Sequence, residues 1–237
     1  MSVSPGFSPK AVAFLRKLKR NNDRAWFHAH RHEYETHVRA PMAAIVERLS
    51  QDMRGFAPEL VADPKLSLFR PWRDTRFSEN KAPLKTNIAA GFPHRALGKG
   101  NGATFYLEVA TTWVWIGGGV YSPDGEQLHA IREHIAAHQG RFESVIRAVA
   151  FKRLGGLQGD TLTRVPRGWP RDHPAAPYLI HKQFLGFREE PAAFAARPDF
   201  YAQLLGTLKA LAPLIAFLNE PLLQNLQVRK RAHILHE

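Results

Sequence analysis

Apolar positions recur every three to four residues through Ala11, Phe14, Leu15 and Leu18, which predicts a first helix started by Ser8-Pro9 and stopped by Asn21-Asn22. Asp23 then caps a second, longer helix with Trp26, Phe27, Tyr34, Val38, Met42, Ile45, Val46 and Leu49 on one face, ending near Gly55 and kinked or split at Pro41. From Lys65 the period changes. Leu66 and Leu68 predict a short strand, the stretch holding Pro71 and Pro83 a loop, and Thr86 to Phe92 a further strand. Phe105, Leu107 and Val109 alternate with Tyr106 and Glu108, and a turn at Thr111-Thr112 leads into Trp113 to Ile116, a β-hairpin followed by a Gly117-Gly118-Gly119 loop. Ser122-Pro123 starts a helix carrying Leu128, Ile131 and Ile135, which Gly140 stops, and Phe142, Val145, Ile146 and Val149 mark another. Beyond Gly155-Gly156 the pattern predicts a strand at Thr161 to Val165, a helical turn capped by Asp172 and a strand near Lys182 to Arg188. Apolar stripes over Phe200 to Leu211 and Leu214 to Leu218, bent at Pro213, are followed by a basic tail at 228–237.

Helices at both ends of a strand-rich middle define an α+β fold with a mainly antiparallel sheet. No repeat or linker interrupts the 237 residues, so a single domain is expected, with its core at about 8–220. Composition then removes whole classes. With no cysteine there is no disulfide framework, thiolate zinc site, iron–sulfur cluster or cysteine nucleophile. No apolar run approaches the roughly 18 to 20 residues of a membrane helix, and the first ten residues lack the apolar segment of a secretory signal, so a cytoplasmic chain without membrane contact is expected. The net charge is +12, and half of that excess lies between Lys65 and Lys99, where eight basic side chains face two acidic ones.

That stretch contains Phe69-Arg70-Pro71-Trp72-Arg73-Asp74-Thr75-Arg76-Phe77-Ser78 and Lys81-Ala82-Pro83-Leu84-Lys85-Thr86. Together with Asn21 to Phe27, Gly117 to Tyr121 and Asp172-His173-Pro174, in this order and spacing, these segments resemble the domain-of-unknown-function 2461 family of conserved hypothetical proteins. The resemblance runs from about Phe14 to about Asn219. It implies a single domain and no particular activity. Leu84 stands where the family usually carries an aromatic residue.

Read as chemistry, Arg70, Arg73, Arg76, Lys81 and Lys85 are three guanidinium forks and two ammonium groups, suited to phosphate or carboxylate if they converge and a solvated basic loop if they do not. Asp74 between the arginines is either their ion-pair partner or a positioned carboxylate whose pKa the cations depress. Ser78 and Lys81 fit the S-x-x-K nucleophile spacing, without the S-D-N and K-T-G companions. Gly117, Gly118 and Gly119 either admit a phosphate to backbone amides or allow close strand packing. Asp172 reads first as a helix cap, with His173 beside it as a possible base and Lys182 as a further cation. His28, His30, His32 and His37, and the pair His134 and His138, have helical spacing but lack the central Glu of H-E-x-x-H, so no metal is expected. Nothing calls for a cofactor. Trp72 and Phe77 among the arginines also suit a single-stranded nucleic acid. Three functions follow: a binding or enzymatic site for an anionic small molecule, a nucleic-acid-binding module on the same stretch, or a non-catalytic scaffold for a partner. The sequence specifies neither a reaction nor an oligomeric state.

Overall fold

The computed structural model describes residues 4–234. The first helix, α1 (Pro9–Arg20), buries Ala11, Phe14, Leu15 and Leu18. Ser8 holds the cap position without a side-chain hydrogen bond, so the fixed φ of Pro9 rather than a hydroxyl sets this start. Asp23 does cap: its carboxylate accepts from Trp26 N–H at 2.8 Å, and α2 (Arg24–Ala29) follows. The expected long helix is broken at His30 into α2 and α3 (Arg31–Tyr34), after which a π turn at Glu35–Arg39 feeds α4 (Ala40–Asp52). Pro41 cannot donate to the carbonyl one turn back. A wider i to i−5 register just upstream, closed by Ala40 N–H on the Glu35 carbonyl, lets the helical path continue with Tyr34, Val38, Met42 and Ile45 all buried.

The strand expected at Leu66 and Leu68 is instead α5 (Pro64–Ser67). Asp63 accepts from Lys65 N–H at 2.7 Å and Pro64 stands in the first turn, and these local start signals outweigh a two-residue alternation. Only Leu68 pairs, through a bridge to Ala90. Four strands, β1 (Ile88–Phe92), β2 (Thr104–Val109), β3 (Trp113–Val120) and β4 (Phe184–Pro191), form one antiparallel sheet in that order. With helices at both ends of the chain, the fold is α+β.

Asp124 and Gln127 make a reciprocal capping box for α6 (Gly125–Ala137). Gly140 does not stop this helix; it lies in the first turn of α7 (Gln139–Arg147), which α8 (Val149–Lys152) follows. Of the strand expected at 161–165, only Thr161 pairs, in a bridge to His181. After α9 (Ala176–Leu179), α10 (Phe200–Ile234) runs through Pro213 and Pro221, so 228–234 is helix rather than tail, and 235–237 lie outside the described residues. Because the prolines do not end it, α10 is long and apolar enough to cross a membrane by length and composition, with 56% of its most apolar window buried inside the protein.

The chain divides into two compact units. The first comprises the chain up to Phe92 with Tyr106–Ile116 and Glu189–Gly206. Its core stacks the Tyr34 ring against Phe14 at 5.9 Å and Phe27 at 5.1 Å, and buried Tyr201 donates to Asp52 at 2.7 Å. The second comprises Pro93–Phe105, Gly117–Arg188 and the chain from Thr207 on. There Phe142 meets Phe217 at 5.2 Å and Phe184 at 6.5 Å. Asn219, 2% exposed, gives its whole amide to Ala103, accepting from the N–H at 2.7 Å and donating to the carbonyl at 3.0 Å.

Candidate functional site

In the first unit an open groove of ≈ 370 Å³ is lined by Arg24, His28, Trp72, Arg73, Thr75 and Pro83. Its geometry starts from Asn22. The Asn22 side chain accepts from Leu84 N–H at 3.0 Å and donates to the Leu84 carbonyl at 2.9 Å, as a neighbouring strand would, and so fastens the basic loop beside the start of α2. Trp72 pairs with Leu84 in an antiparallel bridge, and Arg73 N–H donates to the Pro83 carbonyl at 2.9 Å, which makes this part of the loop a narrow ribbon. Leu84 is 1% exposed, so an aliphatic side chain fills the position where the family resemblance leads one to expect a ring.

Arg24 and His28 are four residues apart on α2 and therefore share a face. Trp72 forms the wall opposite, its ring 6.2 Å from that of His28 and edge-on to buried Phe27 at 5.6 Å. Arg73 is held within the loop: one Nη donates to the Ala82 carbonyl at 3.2 Å and the other to Ser78 Oγ at 3.3 Å. That uses two of its five N–H donors. The Arg24 side chain makes no hydrogen bond or ion pair among the described residues, so its guanidinium is available to a ligand.

Of the remaining basic side chains of the stretch, Arg70 is exposed, and Arg76, Lys81 and Lys85 have separate partners. Arg76 clasps Asp74 with two bonds, at 3.1 and 2.8 Å, on an exposed turn. This pairing, reinforced by the Arg76 backbone and the charge of Arg70, holds the Asp74 carboxyl below the usual range, so Asp74 acts as an ion-pair partner and is poorly suited to proton transfer near neutral pH. Lys81 Nζ donates to the Thr75 carbonyl at 3.2 Å, and Lys85 Nζ lies 5.2 Å over the Phe69 ring. Ser78 Oγ donates to the Asn80 carbonyl at 3.0 Å and accepts from Arg73, so its lone pairs and proton serve the loop and no Lys81 contact primes it as a nucleophile. Phe77 projects from the tip at 96% exposure, with Arg76 5.8 Å over its ring.

In the second unit, Gly117, Gly118 and Gly119 continue β3 as strand rather than forming a loop. A Cβ on Gly118 would stand 2.8 Å from the Thr104 carbonyl oxygen, and one on Gly119 only 1.9 Å from that of Phe184. These glycines let neighbouring strands close up. Asp172 is exposed and is not the cap of α9, whose cap position is Ala175. His173 Nδ1 accepts from Ala175 N–H at 3.0 Å and its ring meets Trp169 edge-on at 5.4 Å, so His173 shapes this turn. Lys182 is exposed, its backbone N–H bonded to Asp160.

The His134 and His138 pair lies at 4.6 Å ring to ring, and His134 Nε2 meets Glu220 Oε2 at 3.1 Å. Glu220 also pairs with Arg141, which holds the Glu220 carboxyl low, while burial lowers the His134 pKa. His30 stacks on Trp26 at 4.1 Å and places Nδ1 2.8 Å from the Trp26 carbonyl. Among the described residues no three His, Asp or Glu side chains gather as metal ligands.

Reasoning from the sequence missed Arg24, His28 and Thr75 as lining residues. The signal was the i, i+4 pair on a capped helix that begins in the marked segment Asn21 to Phe27 and reaches His28 just beyond it. Apart from His28, the lining comes from Asn21 to Phe27, Phe69 to Ser78 and Lys81 to Thr86. Fold and groove thus define a cysteine-free α+β protein with a cationic cleft walled by an aromatic ring. Over residues 10–217 the chain matches the family described as conserved hypothetical protein (DUF2461), and it belongs to that family. No curated protein and no solved structure matches it.

Proposed function

We propose that the groove binds a small anionic molecule, phosphorylated or carboxylated, with Arg24 and Arg73 on the anion and Trp72 and Pro83 against its apolar body. The observation that carries this reading is the arrangement of Arg24, an unpaired guanidinium, across from Arg73, whose remaining donors are fixed by a loop that Asn22 anchors. A planar fork held in advance loses little freedom on binding. The volume lies within the few hundred Å³ typical of small-ligand sites. A charge-assisted bond contributes about 1.5–3 kcal/mol, so Arg24→Ala should weaken the ligand about tenfold or more. The test is a thermal-shift panel of nucleotides, sugar phosphates and carboxylates, followed by titration of Trp fluorescence. A hit that Arg24→Ala and Arg73→Ala both abolish supports the reading; a flat panel, or a hit insensitive to both, refutes it.

One observation favours a second reading, single-stranded nucleic acid: exposed Phe77, at 96% exposure, with Arg76 over its ring, on the loop that also carries exposed Arg70. Base stacking on such a ring contributes about 1–3 kcal/mol. A bound oligonucleotide should show a log–log salt slope of about −0.7 per phosphate contacted and lose affinity in Phe77→Ala. Absence of binding at low salt eliminates it.

A further inference from the structure

The second unit buries a guanidinium with no counter-charge among the described residues. Arg132, on α6, is 9% exposed. Its Nη2 donates to the His181 carbonyl at 3.0 Å, while its Nε is buried without a partner. Among the described residues no carboxylate compensates it, and burial pushes its pKa downward. Its chain neighbour Glu133, exposed, pairs with His129 at 3.3 Å, and Glu220, further along the chain, pairs with His134 and Arg141. A buried cation without a counter-ion is among the most unfavourable arrangements a fold can hold.

The same residue that accepts from Arg132 contributes a second orphan. Among the described residues His181 Nδ1 is buried without a hydrogen-bond partner, its ring tilted against Phe184 at 5.7 Å and beside the Gln183 backbone, and its backbone is bridged to Thr161. The surrounding chain is basic. Between Gly159 and Lys182, exposed Arg164, Arg167, Arg171 and Lys182 stand against only Asp160 and Asp172, and none of the four cations is ion-paired among the described residues. Two buried nitrogens without partners, one on a permanent cation whose Nη2 bonds to the carbonyl of the residue that carries the other, and an excess of cations outside them call for an oxygen carrying negative charge.

We propose that Arg132 and His181 form a second anion site, built within the second unit, that accepts a carboxylate or phosphate oxygen of a small molecule, with Lys182 at its rim. The ligand oxygen takes the Arg132 Nε–H and lies against His181 Nδ1. Both nitrogens are covered, so entry proceeds by rotation of the His181 side chain, past Lys182.

The Arg132 Nε–H signal in the 1H–15N spectrum of the full chain, assigned by its loss in Arg132→Lys, reads the site directly. Sodium phosphate or sodium acetate, added at ionic strength held constant with sodium chloride, is expected to move that signal. Tenfold excess over Kd should raise Tm by about 4 °C. In an Arg24→Ala background, which removes the groove's hold on the anion, Arg132→Lys should remove the Tm response and Lys182→Gln should weaken it. Should Arg132→Lys fail to fold, Arg132 Nε–H is assigned in the wild type by through-bond correlation, and Lys182→Gln still reports. A signal unmoved by about 50 mM of either anion, or moved equally by chloride alone, overturns the proposal. A Tm response that survives Arg132→Lys unchanged in the Arg24→Ala background overturns it as well.

Discussion

Replacing Gly119 by alanine distinguishes a glycine run that admits a phosphate from one that lets strands touch. The added Cβ would lie 1.9 Å from the Phe184 carbonyl oxygen, 2.9 Å from its carbon and 3.0 Å from Leu185 Cα, all backbone atoms that no rotamer change can move. Relief requires the segments at Gly119 and Phe184 to part by more than an ångström, which sacrifices the local ladder at about 1 kcal/mol per hydrogen bond. Gly119 also has φ +135°, a region that costs a side-chain-bearing residue about 1–3 kcal/mol. Together the loss should be about 4–5 kcal/mol, near the top of the range for single substitutions. Gly118→Ala, with a 2.8 Å approach to the Thr104 oxygen and side-chain contacts at 3.1 Å, should cost less. Gly206→Ala, on the exposed surface of α10 with nothing within 4 Å, should gain up to about 1 kcal/mol from helix propensity. Urea unfolding followed by Trp fluorescence and far-ultraviolet circular dichroism measures all three. If Gly119→Ala unfolds within about 1 kcal/mol of wild type, the packing argument is wrong.

The same unfolding assay tests the anchor of the groove. Asn22→Ala leaves the N–H and carbonyl of buried Leu84 without partners and should cost about 2–4 kcal/mol, while weakening any groove ligand through Arg73. An unchanged urea midpoint would show that the loop holds without Asn22. Tyr201→Phe removes the 2.7 Å bond to Asp52 and should cost about 1–2 kcal/mol. Burial pushes the Tyr34 hydroxyl up to about 12, raises Tyr201 further and also raises Tyr178, so ultraviolet titration of the phenols should find three tyrosines ionising above the ordinary phenol range; five ordinary titrations would contradict the packing. Burial lowers the His134 and His181 pKa values, so the unfolded chain binds more protons below the ordinary histidine pKa of about 6.5. Stability should therefore fall as pH drops through that value, and His134→Gln should flatten the decline; a urea midpoint that rises on acidification refutes the assignment.

Long periodic segments were the legible part of the fold. The stripe from Ala11 to Leu18, the alternation from Phe105 to Val109 and the apolar positions of α6 declare their elements because burial demands one face, and the face repeats at a fixed period. Short elements were not legible. Leu66 and Leu68 alternate like a strand, but Asp63 and Pro64 start a helical turn there, and two residues of pattern cannot outweigh two local start signals. Gly140 looked like a stop because glycine often is one, yet α7 begins around it.

By itself the sequence determined the α+β class, the family, the absence of cysteine chemistry and the concentration of charge between Lys65 and Lys99, since each follows from composition or from residues close together in the chain. Which cations stand ready for a ligand was decided only by tertiary structure. Arg76, prominent in the sequence, is neutralised by Asp74 two residues away, whereas Arg24, outside the basic stretch, is brought to the groove by an asparagine that bonds across 62 positions. Arg132 reads in the sequence as one more charge on a helix, yet among the described residues it is buried without a counter-ion, and its neighbour Glu133 pairs with His129 instead. Charge is a property of residue type, but its availability depends on desolvation and on pairing with groups distant in the chain, which local sequence does not encode.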